Sequence, residues 1–363
     1  MERRVFLKTA VAAAAAGSLP WREALARTTG EWRSYEIVTR VTILKPQGTS
    51  RAWIPLPMMD ETDWHRPVGS SWSGNAAKAQ ILRDGKYGAA MMYAEWGGAE
   101  AAPVIEVTSG FMTRDRAVDP QKREPGAETL SAADVAFYTA GTELIPVDGI
   151  VRDTAREIVK GAKTDVEKAR AIYEWVVENT FRDPKTRGCG WGDIKTMLET
   201  KNLGGKCGDL NAMFVGLSRS VGVPARDVYG LRVAPSIHGY KSLGVGSPNV
   251  TRAQHCRAEF FAQGVGWVPV DPGDVRKVVL EEPPGKLALN DEKVVSARKR
   301  LFGSWEMNWL AYSYAHDVQL PGGKAVKIPY FMYPNGETVE GRLDQLDPDT
   351  FKYTIAAREL KSA

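Results

Sequence analysis

The segment "GGKCGDLNAMFVGLSRSVGVPAR", residues 204–226, constrains the fold more than any other part of the chain. Two glycines, a lysine and a cysteine come before Leu210, Phe214 and Leu217, which repeat at helical spacing. Gly222 and Pro224 then supply a helix stop. A helix therefore begins at Cys207 and packs one face into a core. Its N-terminal dipole favours a thiolate at that cysteine. The chain holds only two other cysteines, Cys189 and Cys256, too few for a disulfide scaffold.

The flanking segments extend this core. "TDVEKARAIYEWVVENT" opens with Thr164 and Glu167 at capping-box spacing. Val166, Ala169, Ile172, Tyr173, Val176 and Val177 follow as one apolar stripe. Shorter helices are expected over 150–160 and 193–200. Downstream, "RDVYGLRV" reads as a strand, and "QHCRAEFFA" and "WVPVDP" as a hairpin joined by "QGVG". With its turn centred on Gln263, His255 faces Asp271, Arg257 faces Pro269 and Glu259 faces Trp267. Alternation puts Cys256, Ala258 and Phe260 into the core and His255, Arg257 and Glu259 on the opposite face. If His255 faces Cys207, Cys256 points away from it, and a disulfide would join Cys189 to Cys256.

Residues 30–120 are rich in strand patterns. In "SYEIVTRVTIL", Tyr35, Ile37, Val41 and Ile43 share one face. Trp53, Trp64, Trp72 and Trp96 are expected in a β core rather than on a binding surface. The first 26 residues read as an export signal. Arg3 and Arg4 precede a weak apolar stretch, and Ala24-Leu25-Ala26 supplies a small-residue cleavage site. The paired arginines with Phe6-Leu7-Lys8 resemble the twin-arginine type, implying a periplasmic or extracellular protein with no membrane-spanning segment after processing. The expected division is 1–26 signal, 27–140 β-rich domain and linker, 141–275 catalytic core and 276–363 β-rich extension.

The formal charge of +4 on 363 residues argues against nucleic acid as a partner. No phosphate loop or dinucleotide fingerprint is present, so no organic cofactor is expected. A metal site is not expected either: zinc sites show paired Cys or His at short spacing, which is absent here. Instead, Cys207, His255 and Asp271 suit a thiol triad of nucleophile, base and orienting acid. The Cys207 backbone N–H is the natural oxyanion donor, and Trp191 is a second candidate. Asp209 reads as a solvent-facing acid at the helix start, and Glu259 as either a substrate contact or a surface charge.

These residues resemble the transglutaminase-like superfamily of papain-like cysteine enzymes. The resemblance rests on the Gly-x-Cys helix start, the "GVPAR" exit, "QHCRAEFF" and "GVGWVPVDP", all in order over about residues 150–275. It implies an α+β fold: a papain-like transglutaminase core with an N-terminal β-sandwich-like domain and a C-terminal β-rich extension. "RAWIPLP" is similar to the β domain joined to this core in secreted bacterial members. The resemblance matches Cys207, His255 and Asp271 to the catalytic positions. Arg257 stands where the family often has Trp, which bears on substrate preference. Gly208 stands where cross-linking transglutaminases carry Trp, so cross-linking is not implied, and because nothing specifies an amine acceptor, hydrolysis of a peptide or related amide is expected instead. A non-catalytic binding or assembly module on the same fold is the remaining alternative, and a broken triad would be its mark.

Overall fold

The computed structural model describes residues 32–360 apart from 124, 125 and 348. The expected export signal lies outside the described residues. Two antiparallel sheets form a sandwich. In one, Arg33–Ile43 lies between Val104–Thr113 and Phe351–Leu360, with His65–Gly74 beyond. In the other, Ser50–Pro55 lies between Ala90–Trp96 and Asn335–Thr338, with Lys78–Arg83 and Gly341–Leu343 at the edges. Val41, Ile43, Ile54, Met92, Trp96, Val107 and Phe351 close the core between them. Tyr35, Ile37, Val41 and Ile43 are all buried, as their alternation requires. Trp53, Trp64 and Trp96 are buried and Trp72 is half-buried against the core.

The C-terminal segment is not a separate layer. Its strand Phe351–Leu360 pairs with Arg33–Ile43 along ten residues, from Ser34 opposite Leu360 to Ile43 opposite Phe351. Strands from near both ends of the described residues thus complete one sandwich. This long-range pairing carries no local sequence signal, so the segmental reading could not contain it.

The intervening sequence forms a third antiparallel sheet in the order Gly266–Val270, Gln254–Ala262, Ala225–Arg232, Trp309–Ser313. The helix Cys207–Ser220 packs on it and is buried from Cys207 to Arg219. Around it lie Gly149–Ile158, Asp165–Asn179 and Pro272–Glu281. The capping box at Thr164 is present, and Ala169, Ile172, Tyr173, Val176 and Val177 are buried. The helix Cys207–Ser220 stops just before Gly222, which has φ +81°.

The hairpin register differs from the expected one by two residues. Glu259 pairs with Pro269 and Phe260 with Val268. The turn is centred on Gly264, whose φ of +79° permits a three-residue loop. An even shift preserves the faces, so the alternation holds while the cross-strand partners change.

Ile355, on the C-terminal strand, is buried in a cluster that joins Tyr35 and Phe111 of the sandwich to Tyr229 and Leu310 of the central sheet. Ile355→Ala should cost about 2–5 kcal/mol. Urea denaturation of the full chain would show this as a lower midpoint.

Candidate active site

Three chain segments converge on Cys207. The helix Cys207–Ser220 presents it as the first helical residue, only 4% exposed. The Gly188–Gly192 loop brings Cys189, and the strand Gln254–Ala262 brings His255 and Cys256. The sulfurs of Cys189, Cys207 and Cys256 lie within 4.8 Å of one another. This corrects the expectation that Cys256 points away from Cys207. Alternation still separates the His255 and Cys256 side chains, but the helix start sits at the strand's end, where both are in reach. All three thiols are free, so the expected Cys189–Cys256 disulfide is absent.

His255 is held from behind. Its Nε2 lies 2.7 Å from Asp271 Oδ2 and 3.4 Å from Asp274 Oδ1. Asp271 is no longer on a strand. It is the N-cap of the helix Pro272–Glu281, and its Oδ1 accepts from the Asp274 N–H at 2.9 Å. Reversal of the chain at this cap, rather than cross-strand pairing, brings Asp271 to His255. Asn211, one turn after Cys207, donates Nδ2 to the Cys256 carbonyl at 2.8 Å and to Asp271 Oδ1 at 3.3 Å. Arg232 donates to Asp274 Oδ1 at 2.5 Å. Asn211, Arg232 and Asp274 were missed by sequence reasoning. The i+4 spacing of Asn211 from Cys207 was the one available signal.

The electrostatics follow from this packing. Burial and the nearby Arg232 oppose a charged His255, but Asp274 and Asp271 outweigh them and raise its pKa to about 10. Hydrogen bonds from the Cys189 and Cys256 thiols, then the bond and charge of His255, hold Cys207 well below the usual thiol range despite its burial. The bond to Cys207, then burial, pushes the Cys189 thiol up, and burial, then the bonds to Cys189 and Cys207, pushes the Cys256 thiol up. One thiolate is therefore flanked by two neutral thiols. Burial and Asp274 raise Asp271, whereas Arg232 and His255 keep Asp274 ionised against its own burial.

The remaining candidates play other parts. Arg257 is buried, donates to the Glu306 carbonyl at 2.9 Å and stands 3.7 Å from Asp271, under Trp309. Glu259 is fully buried between Arg116 and Arg226. Neither lines the cavity over Cys207, so the expected substrate contacts are replaced by structural ion pairs. Both faces of this strand are covered, which alternation alone does not reveal. Trp191 is 66% exposed at the rim of a neighbouring cavity, and its backbone N–H, not its indole, bonds the Asp209 carboxylate, so Trp191 is not placed as an oxyanion donor. The Cys207 N–H is at the first helical position, beyond any intrahelical acceptor.

Asp209 is also corrected: it is buried, not solvent-facing. Its carboxylate accepts from Gly192 and Lys206 N–H groups at 2.9 Å each, tying the Gly188–Gly192 loop to the helix start. Gly190 makes room for it. A Cβ there would lie 1.8 Å from Asp209 Oδ2, at φ +91°. Two groups could in principle hold a metal ion, the three thiols and the His255, Asp271, Asp274 set.

The cavity over Cys207 and His255 is about 610 Å³. No helix among the described residues is long and apolar enough to cross a membrane.

Comparisons with known proteins agree with this architecture. The family profile described as Transglutaminase-like superfamily matches residues 152–272. An uncharacterized protein of Haemophilus influenzae is 34% identical over 344 residues, covering 90% of this chain and 91% of its own. The fold is similar to that of a candidate cysteine protease from Cytophaga hutchinsonii, with a TM-score of 0.52 at 12% identity over 92% of this chain and 93% of that one. The periplasmic domain of TgpA from Pseudomonas aeruginosa matches with a TM-score of 0.32 at 16% identity, covering 77% and 95%.

Two substitutions test the site. Gly190→Ala should displace Asp209 or the loop, cost roughly 1–3 kcal/mol and slow alkylation of Cys207. Cys189→Ala should raise the Cys207 pKa, because it removes a hydrogen bond to the charged sulfur. Thiolate absorbance against pH reads the second.

Proposed function

Because the chain belongs to the transglutaminase-like superfamily, we propose that it is an exported thiol enzyme that cleaves peptide or related amide bonds through Cys207, His255 and Asp271. One observation carries this reading: a buried cysteine, held as a thiolate, beside an imidazole that is 2.7 Å from a buried carboxylate.

The chemistry follows from the geometry. The Cys207 thiolate attacks the amide carbonyl carbon, and the oxyanion gathers at the Cys207 N–H. With Nε2 on Asp271, His255 has Nδ1 left for the thiol and the leaving group. The imidazolium gives its proton to the departing amine, leaving a thioester. Neutral His255 then takes a proton from water, which attacks the thioester and releases the acid. Asp271 fixes the ring, and Asp274, anchored by Arg232, supplies further negative charge. Water as acceptor accords with the open cavity. Export accords with the sequence of residues 1–26.

Cys207→Ala should abolish hydrolysis of a peptide library, while Asp271→Asn should lower kcat about 10²–10⁴-fold with the fold retained. The pH–rate profile should be a broad bell. Activity falls on the acid side as Cys207 takes up a proton, well below the usual thiol range. It falls on the basic side as His255 loses its proton near 10. A binding module would keep its function in Cys207→Ala.

A further inference from the structure

We infer that the substrate is an acidic peptide, with carboxylates close to the amide that Cys207 attacks. This rests on the reading of Cys207 as the nucleophile and adds the chemical class that the cleft selects.

The cavity above Cys207 is lined by Arg182, Arg187, Lys206, Arg232, Arg252 and Lys277, and by no carboxylate. Their partners do not neutralise them. Arg187 pairs with Asp344 at 2.6 Å and Arg232 with Asp274 at 2.5 Å. Arg182 and Lys277 share the single carboxylate of Glu281. Lys206 and Arg252 have no ion pair among the described residues. Six cations thus meet three carboxylates, an excess of positive charge in a concave, partly desolvated groove. Such a groove concentrates anions and repels cations. The rest of the lining adds polar groups that can donate hydrogen bonds: Ser242, Ser247, Asn249, Thr251 and Gln254.

The two unmatched cations sit at chemically informative places. Lys206 immediately precedes the nucleophile, and Arg252 comes three residues before His255. A carboxylate near the scissile amide therefore meets one or the other.

The groove's extent favours a chain over a small amide. The central chamber shares Arg187, Gly188, Cys189, Tyr333 and Leu346 with a chamber of about 300 Å³ that also holds Tyr330 and Leu343. It also shares Ser247, Asn249, Thr251 and Arg252 with one of about 490 Å³. An extended peptide fits this run, with an apolar residue toward Tyr330 and Leu346 and a carboxylate toward Arg252.

The test needs no knowledge of the natural substrate. Rates of Cys207 alkylation by iodoacetate and by iodoacetamide, two reagents differing in one negative charge, are measured on the full chain at pH 7.5 and low salt by mass spectrometry. Their ratio, divided by the ratio for a free thiol, reports the field in the cleft. It should be raised roughly tenfold or more and should collapse in 1 M salt. The His255 imidazolium contributes to the ratio, so Arg252→Glu and Lys206→Gln assign the share of the groove. Each should lower the ratio at least threefold. Glu- and Asp-rich peptides should slow alkylation at lower concentration than their Gln and Asn counterparts. A ratio equal to that of a free thiol, no response to Arg252→Glu and Lys206→Gln, or equal protection by amidated peptides would overturn the inference while leaving the thiol enzyme intact. If Cys207 reacts with neither reagent faster than a free thiol, the enzymatic reading fails first and the substrate class falls with it.

Discussion

A charged imidazole cannot be buried unless carboxylates surround it. His255 is 3% exposed, and much of the surrounding structure supplies its negative partners. Asp271 reaches it because the chain turns from strand to helix at that residue. Asp274 follows one helical turn later, and Arg232 on the adjacent strand holds it in its ionised form. The imidazolium in turn supports a thiolate on Cys207. Removing any member leaves a buried charge without a counterion, so the site is one cooperative unit rather than three separate residues.

The opposite side of the thiolate is built from the glycine loop and the chain's far end. Asp209 pulls the Gly188–Gly192 loop against the helix start. Tyr330 then donates its hydroxyl to the Gly190 carbonyl at 2.6 Å, and Met332 lies beside Cys256. These C-terminal residues are anchored by strands that complete the N-terminal sandwich. The sandwich is therefore part of the scaffold that positions the thiols, and the exposed Trp191 marks the rim of the resulting groove.

What was legible in the sequence was local. The helix beginning at Cys207, the capping box at Thr164 and the stripe from Ala169 to Val177 follow from spacing and capping chemistry. The "QHCRAEFF" and "GVGWVPVDP" motifs brought out His255 and Asp271 and their contact, though by the wrong route. A turn centred one residue later moved the register by two, and helix capping made the approach that pairing was expected to make. Asp209 and Glu259 were misplaced for one physical reason. Both are carboxylates buried by partners distant in sequence, Gly190 and Gly192 for one and Arg116 for the other. The meeting of Cys189 and Cys256 around Cys207 depends on three segments closing in space, which no periodicity records.

The account stands on the protonation state of His255. Nitrogen-15 NMR of the ring, in labelled protein titrated from pH 5 to 11, measures it directly. Both nitrogens should remain protonated through pH 8, with the transition near pH 10. A neutral ring already at pH 8, titrating near the ordinary histidine value of about 6.5, would contradict the charge network described here and the thiolate that depends on it.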